Sequence, residues 1–144
     1  MLHEFACAKA DVQRLAEAAA RIAAGRRKRM TVIAEDSGLP EITRVWNECA
    51  ERAGEACGVE VRRMDIDFAA YQLIARPEEF DVIATPNCYG DILADLGWLF
   101  LGSRGATFGG SFPGGATPFS KPITAPRTIS RRKMWRIPPG RFSR

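Results

Sequence analysis

Phe80-Asp81-Val82-Ile83-Ala84-Thr85-Pro86-Asn87-Cys88-Tyr89-Gly90-Asp91-Ile92-Leu93-Ala94-Asp95 reads as a strand, a turn and a helix in succession. Phe80 to Thr85 is an apolar run of strand length, entered through Arg76-Pro77, where the proline biases its predecessor toward extended backbone. Pro86-Asn87-Cys88-Tyr89 supplies the turn. From Gly90 to Leu101 the apolar residues Ile92, Leu93, Leu96, Trp98 and Leu99 recur at helical intervals. A short buried-type strand followed at once by a helix is half of a parallel α/β unit.

The chain upstream repeats that alternation. Lys9 to Ala24 predicts an amphipathic helix with Val12, Leu15, Ala16, Ala19, Ile22 and Ala23 on its inward face, ended by Gly25. Arg26-Arg27-Lys28-Arg29 reads as a solvated turn, since basic side chains favour helix C-terminal ends. Met30 to Ala34 is a buried strand. Pro40 and Glu41 open a second helix, with Ile42, Val45, Trp46, Cys49 and Ala53 inward and Gly58 closing it. Val59 to Met64 holds a strand and Asp67 to Ala75 a short helix. The expected fold is therefore α/β, a largely parallel sheet with flanking helices. Trp46 and Trp98 fall at core positions of their helices.

Of 144 residues, 46% are hydrophobic and 26% charged, the balance of one folded domain. No apolar run is long enough to span a bilayer and no signal-peptide pattern opens the chain, so a cytoplasmic location is expected, without membrane contact. Cys7, Cys49, Cys57 and Cys88 form no C-x-x-C pair and the chain has one histidine, so they read as reduced, mainly buried thiols. The net charge of +4 is unevenly spread: all 17 acidic residues lie at or before Asp95, while residues 115–144 carry eight of the 21 Lys and Arg and five of the nine prolines. Residues 1–114 thus form the α/β unit, and 115–144 form a basic Pro/Arg-rich tail expected to be disordered. Arg131-Arg132-Lys133 in that tail is read as an unselected polycation, and no nucleic-acid partner is expected.

The residues with chemistry are carboxylates. Asp91 and Asp95, four apart, project from one helix face and repel each other unless a cation sits between them. Asp67 follows one strand and Asp91 the next, so all three open on the sheet edge where α/β folds place ligands. Carboxylates without His or Cys suit a hard ion, Mg²⁺ or Mn²⁺. The bland alternative for the pair is an exposed acidic helix face.

Three elements carry a resemblance. They are Asp67-Phe68-Ala69-Ala70-Tyr71-Gln72-Leu73, the run Arg76-Pro77 with Phe80-Asp81-Val82-Ile83, and Thr85-Pro86-Asn87-Cys88-Tyr89-Gly90-Asp91-Ile92-Leu93-Ala94-Asp95. In order and spacing they resemble the isocitrate/3-isopropylmalate dehydrogenase family, and with Pro40 to Trp46 the likeness covers residues 8–105. The resemblance implies a partial isopropylmalate-dehydrogenase-like fold and a homodimer. It also implies NAD(P)-dependent oxidative decarboxylation of a 2-hydroxy acid, 3-isopropylmalate foremost, with isocitrate, tartrate or homoisocitrate behind it. The positions of Asp67, Asp91 and Asp95 would bind Mg²⁺ or Mn²⁺, with Asp67 also meeting substrate in the partner subunit's site. The family's catalytic lysine falls on Asp36, and no lysine occurs between Met30 and Lys121. Substrate arginines and the catalytic tyrosine would lie upstream of Met1. The resemblance therefore leaves no catalytic or cofactor-binding residue of the family in this chain, which is expected to be a middle fragment, inactive by itself. Helix faces such as Trp98 to Leu101 would then lack partners and favour association.

The tail has its own reading. Where the family shows an H-G-x-A loop for the cofactor's adenosine and then A-N-P, this chain runs Pro118-Phe119-Ser120-Lys121-Pro122. Joining the last base of each codon to the first two of the next, from Pro118 onward, permits V-F-Q-T-D-H-G-A-A-H-D-L-A-x-K-D-V-A-N-P. The Met134–Trp135 junction forces the valine of that string. Residues from about Gly115 are therefore expected to come from a shifted reading frame.

Overall fold

A computed structural model describes residues 6–102, 108–111 and 119–122. Helix α1 (Lys9–Ala24) leads to strand β1 (Arg29–Ala34), helix α2 (Pro40–Cys57), strand β2 (Glu60–Asp65) and helix α3 (Ile66–Ala75). A 3-10 turn at Pro77–Glu79 precedes β3 (Val82–Ala84) and α4 (Asn87–Phe100). The three strands form one parallel sheet in the order β2-β1-β3, with Met30 opposite Val61 on one side and Val82 on the other. The parallel α/β expectation holds.

Strand β1 is central and buried along nearly its whole length, and its side chains divide between two layers. Met30 and Val32 pack with α1 and α2, through Ala16, Ala19, Ala20 and Ala23 on α1 and Trp46, Cys49, Ala50 and Ala53 on α2. Ile33 points to the other layer and packs with Ala69, Leu73 and Leu93 of α3 and α4. Met30, Val32 and Ile33 are all at 1% exposure or less, and each such aliphatic side chain contributes about 1.5–3 kcal/mol.

Helix α1 has the expected bounds, and of its expected inward face Val12, Ala16, Ala19 and Ala23 are buried, joined by Ala20, while Leu15 and Ile22 are exposed. Alanines of α1 and α2 share one buried cluster with Trp46 and Cys49, and Leu15 and Ile22 fall outside it. Strand β3 is only three residues long, and what reads as a turn at Pro86–Tyr89 is the cap and first turn of α4. The helix starts early because the N–H groups of Tyr89 and Gly90 both donate to the Pro86 carbonyl, at 3.1 and 2.9 Å. Trp46 is buried, as expected, but Trp98 is half-buried. Nor are the thiols mainly buried: Cys49 is, Cys57 is intermediate, and Cys7 and Cys88 are exposed.

The basic turn is more than solvated. Arg26 Nε pairs with Asp81 Oδ1 at 2.8 Å, and the Arg27 N–H donates to Oδ2 at 3.0 Å. Two glycines of α2 and its end are needed where they stand. Gly58 closes α2 with a φ of 63°, and at Gly54 a Cβ would overlap the Val61 side chain and come 2.9 Å from the Val59 carbonyl oxygen.

Within the tail, Phe119–Pro122 form β5, which pairs antiparallel with β4 (Phe108–Ser111). The rest of residues 115–144, including Arg131 to Lys133, lies outside the described residues. No helix among the described residues is long and apolar enough to cross a membrane.

Candidate functional site

The chain enters β2 from β1 and then returns past β1 to β3, so the order reverses between β1 and β3. The helices leaving these two strands, α2 and α4, pack on opposite layers of the sheet. A crevice opens at the carboxyl ends of strands at such a switch point, and it is where open α/β sheets bind ligands. A cleft of about 560 Å³ lies there, lined by Ala34 and Glu35 at the end of β1, Ile42 and Trp46 of α2, and Asn87 to Tyr89 of α4. Its wall is mainly apolar. Burial, with the nearby Cys88 and Glu35, pushes the Tyr89 hydroxyl above its ordinary pKa, so it stays protonated at neutral pH.

The loop after β1 is held from both sides. Thr43 Oγ1 donates to the Glu35 carbonyl at 2.8 Å and accepts the Glu35 N–H at 3.2 Å, which satisfies a buried hydroxyl and seats α2 on the strand end. The Asp36 N–H donates to Asp65 Oδ1 at 3.3 Å, linking the ends of β1 and β2. The Asp36 side chain is exposed at the rim of a second cleft, about 600 Å³, which it shares with Asp65, Arg44 and Arg63. The acid at the resemblance's lysine position therefore stands on the expected sheet edge.

Asp91 and Asp95 are both exposed on α4, one turn apart, in the helix that leaves β3. Asp67 is exposed in the first turn of α3, where its Oδ1 accepts the Phe68 N–H at 2.6 Å. Sequence spacing makes the strands before them neighbours; the structure inserts β1, which sets β2 and β3 roughly 10 Å apart. Among the described residues no three His, Cys, Asp or Glu side chains gather to hold a metal, so Asp67 does not join Asp91 and Asp95 within one copy. The convergence of three carboxylates expected from strand order thus fails inside a single chain. The cleft itself, with Trp46 and Tyr89, escaped sequence reading because a switch point depends on strand order, which periodicity does not encode.

Beside these acids, the same helices expose large apolar side chains. Phe68, Tyr71 and Ile74 on α3 and Ile92, Leu99 and Phe100 on α4 are all exposed, Tyr71 at 67% and Leu99 at 70%. Phe68 and Tyr71 stack with ring centroids 6.5 Å apart.

Comparison with known proteins agrees with this arrangement. A family model described as isocitrate/isopropylmalate dehydrogenase matches residues 5–131. A 3-isopropylmalate dehydrogenase of Priestia megaterium is 39% identical over 98 residues, covering 67% of this chain and 26% of its own. One from a Synechococcus strain is 35% identical over 118 residues, covering 78% and 31%. The crystal structure of a β-decarboxylating dehydrogenase from Thermococcus kodakarensis superposes with a TM-score of 0.74 at 30% identity, over 83% of this chain and 35% of that one. The chain spans about a quarter to a third of the length of these relatives. Its family model covers most of the sequence, and its fold superposes on a β-decarboxylating enzyme: the chain belongs to the isocitrate/isopropylmalate dehydrogenase family.

Proposed function

We propose that this chain is the metal-binding segment of an NAD(P)-dependent oxidative decarboxylase of 2-hydroxy acids, with 3-isopropylmalate as the substrate of its lineage. The observation that carries the reading is the Asp91/Asp95 pair, exposed one turn apart on the helix that leaves the central sheet. A donor set of carboxylates alone fits Mg²⁺ or Mn²⁺ better than a softer ion. Asp91 and Asp95 would hold the ion, with Asp67 supplied by a second copy. Docking the exposed apolar faces of α3 and α4 against their equivalents brings those acids toward one another and removes Phe68, Tyr71, Ile92 and Leu99 from water. The ion, when bound, polarises the oxygens of a 2-hydroxy acid and carries the charge left as CO₂ departs.

For the 144-residue chain by itself the reading is metal binding and dimerisation without turnover. Asp36 stands where the resemblance places a lysine, and a carboxylate at neutral pH neither donates a proton nor offers positive charge to a bound acid. The tail is proposed to derive from a shifted reading frame, which would leave the NAD(P) adenosine loop unbuilt.

Calorimetric titration of the full chain with Mn²⁺, with sedimentation velocity on the same samples, tests the reading. One tight site per subunit in a dimer, lost in Asp91→Asn, is the expected result. Absence of saturable Mn²⁺ binding would overturn it. NADH formation from 3-isopropylmalate that disappears in Asp91→Asn would keep the metal site and overturn the inactivity.

A further inference from the structure

The segment that enters α1 passes the apolar cleft between β1 and β3 on its way. Ala6 and Cys7 line that cleft together with Leu39, Ile42 and Trp46, and Leu39 remains 39% exposed. A second hollow, about 610 Å³, is lined by Ala6 to Lys9 with Ile42 and Val45. Ala6, Cys7 and Ile42 belong to both walls, so this segment lies along the first turns of α2.

Its course is fixed at three points. Lys9 Nζ pairs with Glu48 Oε2 at 2.9 Å, which ties the first residue of α1 to α2. Ala8 is extended, with φ −73° and ψ 135°, so the chain upstream leaves the axis of α1 instead of prolonging it. Burial pushes the Cys49 thiol above its ordinary pKa and the Cys7 charge pushes the same way, which keeps Cys7 within electrostatic reach of the buried side of α2. Met1-Leu2-His3-Glu4-Phe5 directly precedes Ala6, and three of the five are apolar. Phe5 is thus one residue from the cleft wall. Five residues span at most about 17 Å, enough to cross a cleft of this volume and too little to cross the domain.

We propose that residues 1–5 fold back over this cleft and cap it, with the Phe5 ring as the anchor against Ile42 and Trp46. An aromatic side chain buries about 150–250 Å² when enclosed, and an apolar wall already flanked by Ala6 and Cys7 is the nearest surface that can enclose this one. Binding by the chain's own segment also carries little loss of translational freedom, since Phe5 is tethered at the rim. The capped cleft reaches from α2 to Asn87, Cys88 and Tyr89 at the start of the helix bearing Asp91 and Asp95, and it is closed to small molecules. No proposed metal ligand takes part, so the failure of this capping and that of the metal reading are separable.

The test uses the full chain labelled with 5-fluorotryptophan, with Trp46→Phe assigning the cleft resonance by fluorine NMR. Phe5→Ala should displace the Trp46 resonance and leave that of Trp98 in place. It should also speed alkylation of Cys88 by N-ethylmaleimide several-fold, measured by peptide mass, with an unchanged circular dichroism spectrum. Phe5→Leu should recover most of both effects. Indole, as a small apolar probe, should shift the Trp46 resonance in Phe5→Ala and not in the parent. An equal response to indole in the two chains would show an open cleft and overturn the proposal. So would a Trp46 resonance and a Cys88 rate that ignore Phe5→Ala. Effects that appear only as protein concentration rises would assign the cleft to a second copy and overturn it as well.

Discussion

The Nε of Arg26 lies 2.8 Å from Oδ1 of Asp81, and the Asp81 side chain is 1% exposed. Arg27 adds its N–H to the other oxygen and donates from its guanidinium to the carbonyls of Glu78, at 2.7 Å, and Phe80. The basic turn after α1 thus clasps the segment leading into β3. It holds the edge strand that launches α4, so the position of Asp91 and Asp95 depends on a contact far from them. Burial opposes ionisation of Asp81, but the hydrogen bonds and charge of Arg26, together with backbone N–H groups at Arg27 and Arg29, hold its pKa below the ordinary carboxylate value.

Asp81→Asn should therefore lower the melting temperature by several degrees at pH 7. The sign follows from linkage: a depressed folded-state pKa stabilises above the unfolded value, near pH 4, and that contribution is lost as the pH falls through the folded value. Thermal melts between about pH 2 and pH 7 check this. The gap between parent and variant should close at the acid end. A gap of equal size at both ends would show that packing, not charge, is what Asp81 supplies.

Gly54→Ala should cost about 1–3 kcal/mol, because the added methyl overlaps Val61 and crowds the Val59 carbonyl where α2 crosses β2. Val61→Ala in the same chain should recover part of the loss. Chemical denaturation of the two single variants and the double variant measures the coupling, and strict additivity would mean that the two sites do not touch.

The sequence made some of this legible and not the rest, for physical reasons. Helices α1 and α2 announce themselves because an amphipathic stripe needs only the 3.6-residue period, and Gly25 and Gly58 mark their ends. Which part of the stripe faces inward is set by the neighbour: Leu15 and Ile22 fit the period but are exposed, while Ala20 is buried. Asp81 gives no sign of its role, since its partners Arg26 and Arg27 lie more than fifty residues away. The acids Asp67, Asp91 and Asp95 were legible as a motif. Their geometry was not, because β1 separates the strands that precede them.

Tyr71→Glu and Leu99→Glu should each shift the chain from dimer to monomer in sedimentation velocity at micromolar concentration. A carboxylate replaces a side chain that is exposed in one copy and buried in the proposed pair. Neither site packs into the core, so the circular dichroism spectrum should not change. A parent chain that sediments as a monomer would sink the proposed pairing outright.

Sequencing the gene across the codons for Gly102 to Arg144 should reveal a single-base change that restores H-G-A-A and A-N-P. The forced valine at the Met134–Trp135 junction fixes the register of the comparison. Codons incompatible with the alternative string at several positions would end the frameshift reading and leave 115–144 as a selected basic tail.

The metal site offers a test that uses its division between copies. Loss of an outer-shell partner weakens a metal site by about 10–100-fold, so removing a direct ligand should cost at least as much. Asp67→Asn and Asp91→Asn should each abolish tight Mn²⁺ binding when studied alone. Mixed and allowed to exchange subunits, they form a hybrid in which one protomer keeps Asp91 and Asp95 and the other keeps Asp67. Each hybrid dimer then holds one intact site, and random pairing yields about one tight site per four chains. The outcome separates two arrangements that affinity in either variant alone does not. If all three acids served one copy, mixing would restore nothing; if Asp67 were no ligand, its variant would bind normally before mixing. Because Asp67 stays apart from Asp91 and Asp95 within one chain, recovery on mixing is the expected result.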